Sequence, residues 1–306
     1  MKHSEKEITD IFEKRHSMFK ELSAKLNPSG KKMIFSCANL GNVEAFINYP
    51  VEDERQSYPV VFNLHGGAFA DGDAVTLDSF CQMLADRMGV MVVNLNYKLF
   101  PEVKYPYPVE ETVAVLQYIR NNAELLKADK SEIGACGFSA GASIAFGTEV
   151  QLLEKKEKGF DFLIGAYPMT SGRMEDVDEN SPFQATDEIL TDAMLYAMNG
   201  LEDSPVCSCL LAEDDILRKF PPTILFTCGK DSLGPMGRSF AGKLAENGVT
   251  VISKCFPDAL HGFVEVNRPD FIFPDDRKND VQEKYTKDAE NFICMGMDLL
   301  KKMSDK

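Results

Sequence analysis

Residues 132–145 read Glu-Ile-Gly-Ala-Cys-Gly-Phe-Ser-Ala-Gly-Ala-Ser-Ile-Ala, and no other stretch constrains the fold as tightly. The apolar run from Ile133 to Phe138 reads as a strand, and the small residues after Gly141 as a helix. Between them, Gly137-Phe138-Ser139-Ala140-Gly141 has the G-x-S-x-G form of a nucleophile elbow. Such a serine sits on a sharp, strained turn, so that its hydroxyl projects above the sheet. Gly137 and Gly141 remove the Cβ atoms that would collide where strand and helix meet. Ala140, at the helix N-terminus, can offer its N–H to a developing oxyanion. The pentapeptide is short enough to recur by chance, so its meaning rests on what surrounds it.

The chain has 306 residues, enough for a large core, with ordinary hydrophobic (44%) and charged (26%) content. Its formal net charge of −15 and the lack of a Lys/Arg-rich face argue against nucleic acid or an anionic membrane as partner. No apolar run is long enough to span a membrane, and Met1-Lys-His-Ser-Glu-Lys-Glu7 lacks the apolar core of a secretory signal. Eight cysteines are scattered along the chain, with Cys207 and Cys209 the one close pair. That spacing is a poor metal motif. A reduced, cytoplasmic protein without disulfides, metal or organic cofactor is expected; the oligomeric state is not readable.

Ile8, Ile11, Phe12, Phe19, Leu22 and Leu26 recur at helical spacing over 4–26, marking a helix that packs on the body or forms part of a lid. Residues 32–37 and 43–49 read as an antiparallel pair. Strands follow at 60–64, 90–95, 133–138, 162–167, 223–228 and 249–256, with helices near 76–88, 109–126, 233–247 and 280–303. This alternation predicts an α/β fold with a mostly parallel sheet covered on both faces. Residues 170–220 interrupt it with an acidic, strand-free insertion of cap size. A single domain over 1–306, with cap elements at 1–30 and 170–220, is the economical reading.

A serine nucleophile needs a base, and the base needs an orienting acid. The chain has four histidines. His3 and His16 belong to the N-terminal helix, and His65 heads a glycine loop, where it is expected to hold the loop. His261 follows the last predicted strand, where a strand edge delivers a base. Asp231, after the preceding strand, suits the order Ser, Asp, His; Asp258 and Glu265 are rivals that lie closer along the chain. His65-Gly66-Gly67-Ala68 follows a buried strand, so the N–H groups of Gly66 and Gly67 are expected to join Ala140 in an oxyanion hole. Phe69, Phe138, Met194, Tyr196 and Met198 are candidates to line an acyl pocket.

His65-Gly-Gly-Ala-Phe69, Tyr97-Lys-Leu-Phe-Pro-Glu102, Tyr105-Pro-Tyr-Pro108, Gly137–Gly141, Gly229-Lys-Asp231 and His261-Gly-Phe263 occur in that order. Together they resemble the α/β-hydrolase superfamily, in particular its hormone-sensitive-lipase-like and acetyl-esterase-like carboxylesterases, over roughly residues 55–265. The resemblance implies an α/β-hydrolase fold with a mostly parallel eight-stranded sheet and a small helical cap. It also implies a Ser139–His261–Asp231 triad and hydrolysis of short acyl esters without a cofactor. Ala68 stands where many such enzymes carry a third glycine, Phe138 where Asp is frequent, and Ser232-Leu-Gly-Pro235 where Pro-Leu and an acidic residue are usual.

The expected function is therefore that of a serine hydrolase of short-chain carboxylic esters, with a small-molecule ester as its partner. An amidase, formamidase or exopeptidase would use the same three residues. A small-molecule receptor on this scaffold would typically have lost one of them.

Overall fold

Short runs rich in Val, Ile, Leu and Phe, bounded by turn residues, pair into one sheet, as a chain that must bury apolar surface and satisfy its backbone requires. The computed structural model describes residues 1–304. In chain order the elements are α1 (Glu5–Ser23), β1 (Lys31–Cys37), β2 (Gly41–Asn48), β3 (Tyr58–Leu64), α2 (Asp78–Met88), β4 (Met91–Asn96), α3 (Tyr107–Asn121), β5 (Ala128–Phe138) and α4 (Ala140–Glu154). They continue with β6 (Phe162–Ala166), α5 (Glu188–Met198), α6 (Asp214–Leu217), β7 (Thr223–Cys228), α7 (Gly234–Glu246), β8 (Val251–Phe256), α8 (Phe263–Val266) and α9 (Asp280–Ser304).

The eight strands lie in the order β1-β2-β4-β3-β5-β6-β7-β8. β2 runs antiparallel to both β1 and β4, and every other neighbouring pair is parallel. This is the α/β-hydrolase architecture, with its mostly parallel sheet flanked by helices. Side chains alternate across the sheet. Val60, Phe62, Leu64, Val93 and Leu95 join the core on one face. Val61, Val92, Cys136 and Phe138 join the other, with Phe80 and Leu84 of α2 and Phe292, Ile293 and Met297 of α9.

Several boundaries differ from the expected ones for local reasons. α1 ends at Ser23, whose hydroxyl donates to the Phe19 carbonyl, and Leu26 leaves the helix to pack beside Phe46 and Val75. α3 stops at Asn121, where the Asn122 side chain donates back to Tyr118 O, and the turns that follow feed a β5 five residues longer at its start than expected. Met295 and Leu299 of α9 are exposed. No described helix is long and apolar enough to cross a membrane.

Beneath the C-terminal strand ends, Phe226 is fully buried, with the rings of Tyr167, Phe256, Phe263 and Phe292 at centroid distances of 5.6, 5.5, 6.0 and 6.3 Å. Phe226→Ala is expected to cost about 3–5 kcal/mol, because a void surrounded by rings collapses poorly. Urea unfolding should show a lower midpoint at unchanged slope. A loss below about 1 kcal/mol would mean the cluster repacks.

Candidate active site

β3, β5, β6, β7 and β8 end on the same side of the sheet, so the loops after them converge. The elbow stands between them. Ser139 has φ 52° and ψ −117°, a conformation that a side-chain-bearing residue adopts only when its surroundings force it. Its N–H donates to Ala166 O at 3.0 Å, and its carbonyl accepts from Met169 N–H at 3.3 Å. A Cβ on Gly137 would lie 2.4 Å from Gly141 O, and one on Gly141 would lie 2.2 Å from Leu64 O. The elbow therefore closes only with glycine at both positions.

His261, in the loop after β8, places Nε2 2.7 Å from Ser139 Oγ and Nδ1 2.8 Å from Asp231 Oδ2. A carboxylate at Nδ1 holds the proton there and leaves the Nε2 lone pair to accept from the serine hydroxyl. Asp231 Oδ1 accepts from Leu233 N–H at 3.0 Å, and Arg277 Nη1 donates to His261 O at 2.7 Å. All three side chains are buried. Of the rival acids, Asp258 is exposed and pairs with Lys230, and Glu265 bonds elsewhere.

The glycine loop departs from expectation. The Gly66 N–H donates to Glu265 Oε1 at 2.8 Å, so it is not free to meet an oxyanion beside Ser139. The next two N–H groups, of Gly67 and Ala68, have no acceptor among the described residues. The chain turns here through φ 120° at Gly67 and 53° at Ala68, and a Cβ on Gly67 would fall 1.9 Å from Asp71 O. Together with Ala140, at the N-terminus of α4, these are the donors available. Ala68 took the place of an expected third glycine in the sequence and supplies the same backbone group here.

His65 holds this loop. Its Nδ1 donates to Gly66 O at 2.7 Å, its carbonyl accepts from Tyr97 OH at 2.7 Å, and the two rings stack at 4.2 Å. Burial lowers its pKa to about 4, so the ring is neutral at ordinary pH. From the other side, His16 Nε2 donates to Ala70 O at 2.6 Å, and Arg15 pairs with Asp71 at 3.1 Å.

Two cavities meet at Ser139. An inner one of about 70 Å³ is walled by Ala68, Met169, Ser171, Thr191, Met194 and Leu233. An outer one of about 320 Å³ is bounded by His261, Gly67, Phe19, Leu190, Phe271 and Phe273. Of the five expected pocket residues, only Met194 lines either cavity. Phe138 points to the opposite face of the sheet, against Phe80 and Tyr167, because strand side chains alternate. Phe69 is buried against Tyr105. Tyr196 donates its hydroxyl to His3 O, and Met198 is fully buried. The outer wall draws on the Phe-Ile-Phe run at 271–273, a cluster of aromatics in a loop that could have been flagged in the sequence. Among the described residues, no three His, Cys, Asp or Glu side chains are grouped to hold a metal ion.

Comparison with known proteins agrees with this fold. A family model described as alpha/beta hydrolase fold matches residues 61–265. The versiconal hemiacetal acetate esterase of Dothistroma septosporum is 29% identical over 233 residues, covering 70% of this chain and 69% of that one. The acetyl esterase of Salmonella typhi is 28% identical over 218 residues, covering 69% and 67%. A solved bacterial heroin esterase superposes with a TM-score of 0.76 at 25% identity, covering 96% of this chain and 93% of that one.

The neutral, buried His65 has a consequence for stability. Its pKa lies near 4 when folded, against an ordinary value of 6.5, so the unfolded chain binds the proton more readily between those limits. Stability should fall as pH drops from about 6.5 to 4, by about 3 kcal/mol in all. His65→Gln should lack this component, so the difference between the two unfolding-versus-pH curves isolates it. Parallel curves would show that folding does not lower the proton affinity of His65.

Proposed function

The chain belongs to the alpha/beta hydrolase fold family, and from that premise we propose that it is a carboxylic ester hydrolase working through an acyl-enzyme on Ser139. The observation that carries the reading is the hydrogen-bonded line Ser139–His261–Asp231 at the junction of two unequal cavities. Ser139 Oγ attacks the ester carbonyl as His261 Nε2 takes its proton, and Asp231 stabilises the imidazolium. The carbonyl oxygen, now negative, turns to the N–H groups of Gly67, Ala68 and Ala140, each donor worth about 2.7–4 kcal/mol of barrier. His261 then protonates the departing alkoxide, and water repeats the cycle on the acyl-enzyme.

Proton delivery decides which cavity takes which half of the ester. The alcohol oxygen leaves toward His261 Nε2, and His261 lines the outer cavity but not the inner one. The acyl group therefore occupies the inner cavity and the alcohol the outer. A dry cavity of about 150 Å³ holds a benzene ring. The inner space, at about 70 Å³, suits acetyl and its near homologues, whereas the outer, at about 320 Å³, has room for a bulky alcohol. The words acetate and acetyl in the names of two relatives support the acyl side of this reading.

In this reading the molecule is one catalytic domain whose segments 1–30 and 170–220 cap the site. Support comes from Phe19 on the first and Leu190 and Met194 on the second, which wall the cavities. The eight free cysteines, seven of them buried, suit a reducing, cytoplasmic setting.

p-Nitrophenyl acetate, butyrate and octanoate test the proposal. We expect kcat/KM to decline along the series and Ser139→Ala to lose at least about 10⁴-fold on acetate. A fully active Ser139→Ala would remove the mechanism. Shortening the inner wall with Met194→Ala should raise the octanoate-to-acetate ratio by about tenfold; an unchanged ratio would mean the acyl chain lies elsewhere.

A further inference from the structure

Glu265 is a half-buried carboxylate with no place in the hydrolytic cycle just described. It stands on α8, four residues after His261, and yet its bonds run to other loops. Oε1 accepts from Gly66 N–H at 2.8 Å, and Oε2 accepts from the Tyr167 hydroxyl at 3.3 Å. Tyr167 in turn sets the edge of its ring against His261 at 5.1 Å and follows Ala166, the residue that anchors the Ser139 N–H. Burial raises the Glu265 carboxyl above its usual range, opposed by the Gly66 N–H and by the nearby His261 and Arg277.

The fit at Gly66 is close on both sides. A Cβ there would lie 2.9 Å from each oxygen of Glu265. Glycine at 66 therefore answers to the carboxylate beneath it rather than to an oxyanion above it. The peptide joining residues 66 and 67 carries the Gly67 N–H, so the plane that Glu265 and His65 fix at Gly66 sets where the first donor points. His65 grips the Gly66 carbonyl and Glu265 the Gly66 N–H, one on each side of that residue.

We infer that Glu265 is a positioning residue of the oxyanion hole, holding the Gly66 backbone so that the Gly67 and Ala68 N–H groups face the carbonyl oxygen of the ester that Ser139 attacks. The inference rests on the ester-hydrolase reading. Through it, the strand-end loop that supplies the base also sets the geometry of the donors, and base and oxyanion hole are assembled as one unit.

Four proteins test it, the wild type and Glu265→Gln, Glu265→Asp and Glu265→Leu, assayed on p-nitrophenyl acetate and with trifluoroacetone. That ketone forms a hemiketal oxyanion on a reactive serine, so its inhibition reads the hole directly. Gln retains an acceptor at the same reach, and its kcat should stay within about threefold of wild type. Asp retains the charge but withdraws the acceptor by one methylene, and Leu removes it. Both should lose about 10–100-fold in kcat, below the roughly 10²–10³ cost of deleting a donor outright, with KM changed by less than about threefold. Trifluoroacetone inhibition should weaken by the same factor as kcat.

A merely structural role would lower thermal stability while leaving kcat per folded molecule and trifluoroacetone inhibition unchanged, and that result overturns the inference. So does an Asp variant of wild-type activity beside an impaired Gln variant, which would make charge rather than grip the function. If Leu does not fold, the Asp and Gln pair decides alone. A wild type inert to both compounds overturns the ester-hydrolase reading and this inference with it. An active wild type with unaffected variants overturns only the inference.

Discussion

The level register of the central parallel strands is the constraint on which the rest depends. Leu64 lies opposite Gly137, Phe138 opposite Ala166, and Cys228 opposite Phe256, so the chain leaves β3, β5, β6, β7 and β8 along one edge. Parallel strands oblige every crossover to return along a face of the sheet, which leaves that edge to the loops that follow the strands. The strained Ser139 turn survives because its N–H and carbonyl are tied to Ala166 and Met169, so the surroundings determine its geometry more than its own preferences do.

The peripheral segments are attached to that edge and not simply laid over it. Phe183 bridges to Asp231, Asp178 N–H donates to Ser232 O, and Ala185 N–H donates to Ser232 Oγ, so the 170–220 insertion braces the acid loop. α1 braces the glycine loop through His16 and Arg15. Phe19 of the same helix stacks on Phe273 at 3.9 Å across the outer cavity. The segments that wall the two cavities thus share supports with the glycine loop and the Asp231 loop.

Much of this was legible in the residues. Strands of the sheet announced themselves as apolar runs, and the elbow is a motif whose glycines are its geometry. With four histidines in the chain, His261 could be found by elimination, and Asp231 by its place one strand earlier. What escaped was direction. The Gly66 N–H is taken up by Glu265, 199 residues away, and no local pattern reports it. Phe138 and Phe69 look like pocket residues by position, but pleat and backbone turn aim them into the core. The outer wall at 271–273 lies in a loop without periodicity, so pattern reading had nothing to measure there.

The glycines at 66, 67, 137 and 141 leave this protein with an unusual distribution of mutational tolerance. Each would place a Cβ within 3 Å of a carboxylate or a backbone atom. Every single-base change that replaces a glycine codon with another amino acid adds that Cβ. A deep mutational scan would therefore find some of its least forgiving sites at residues that carry no functional group at all. The walls of the two cavities can change one side chain at a time, whereas these four positions have no neighbouring residue type to drift into.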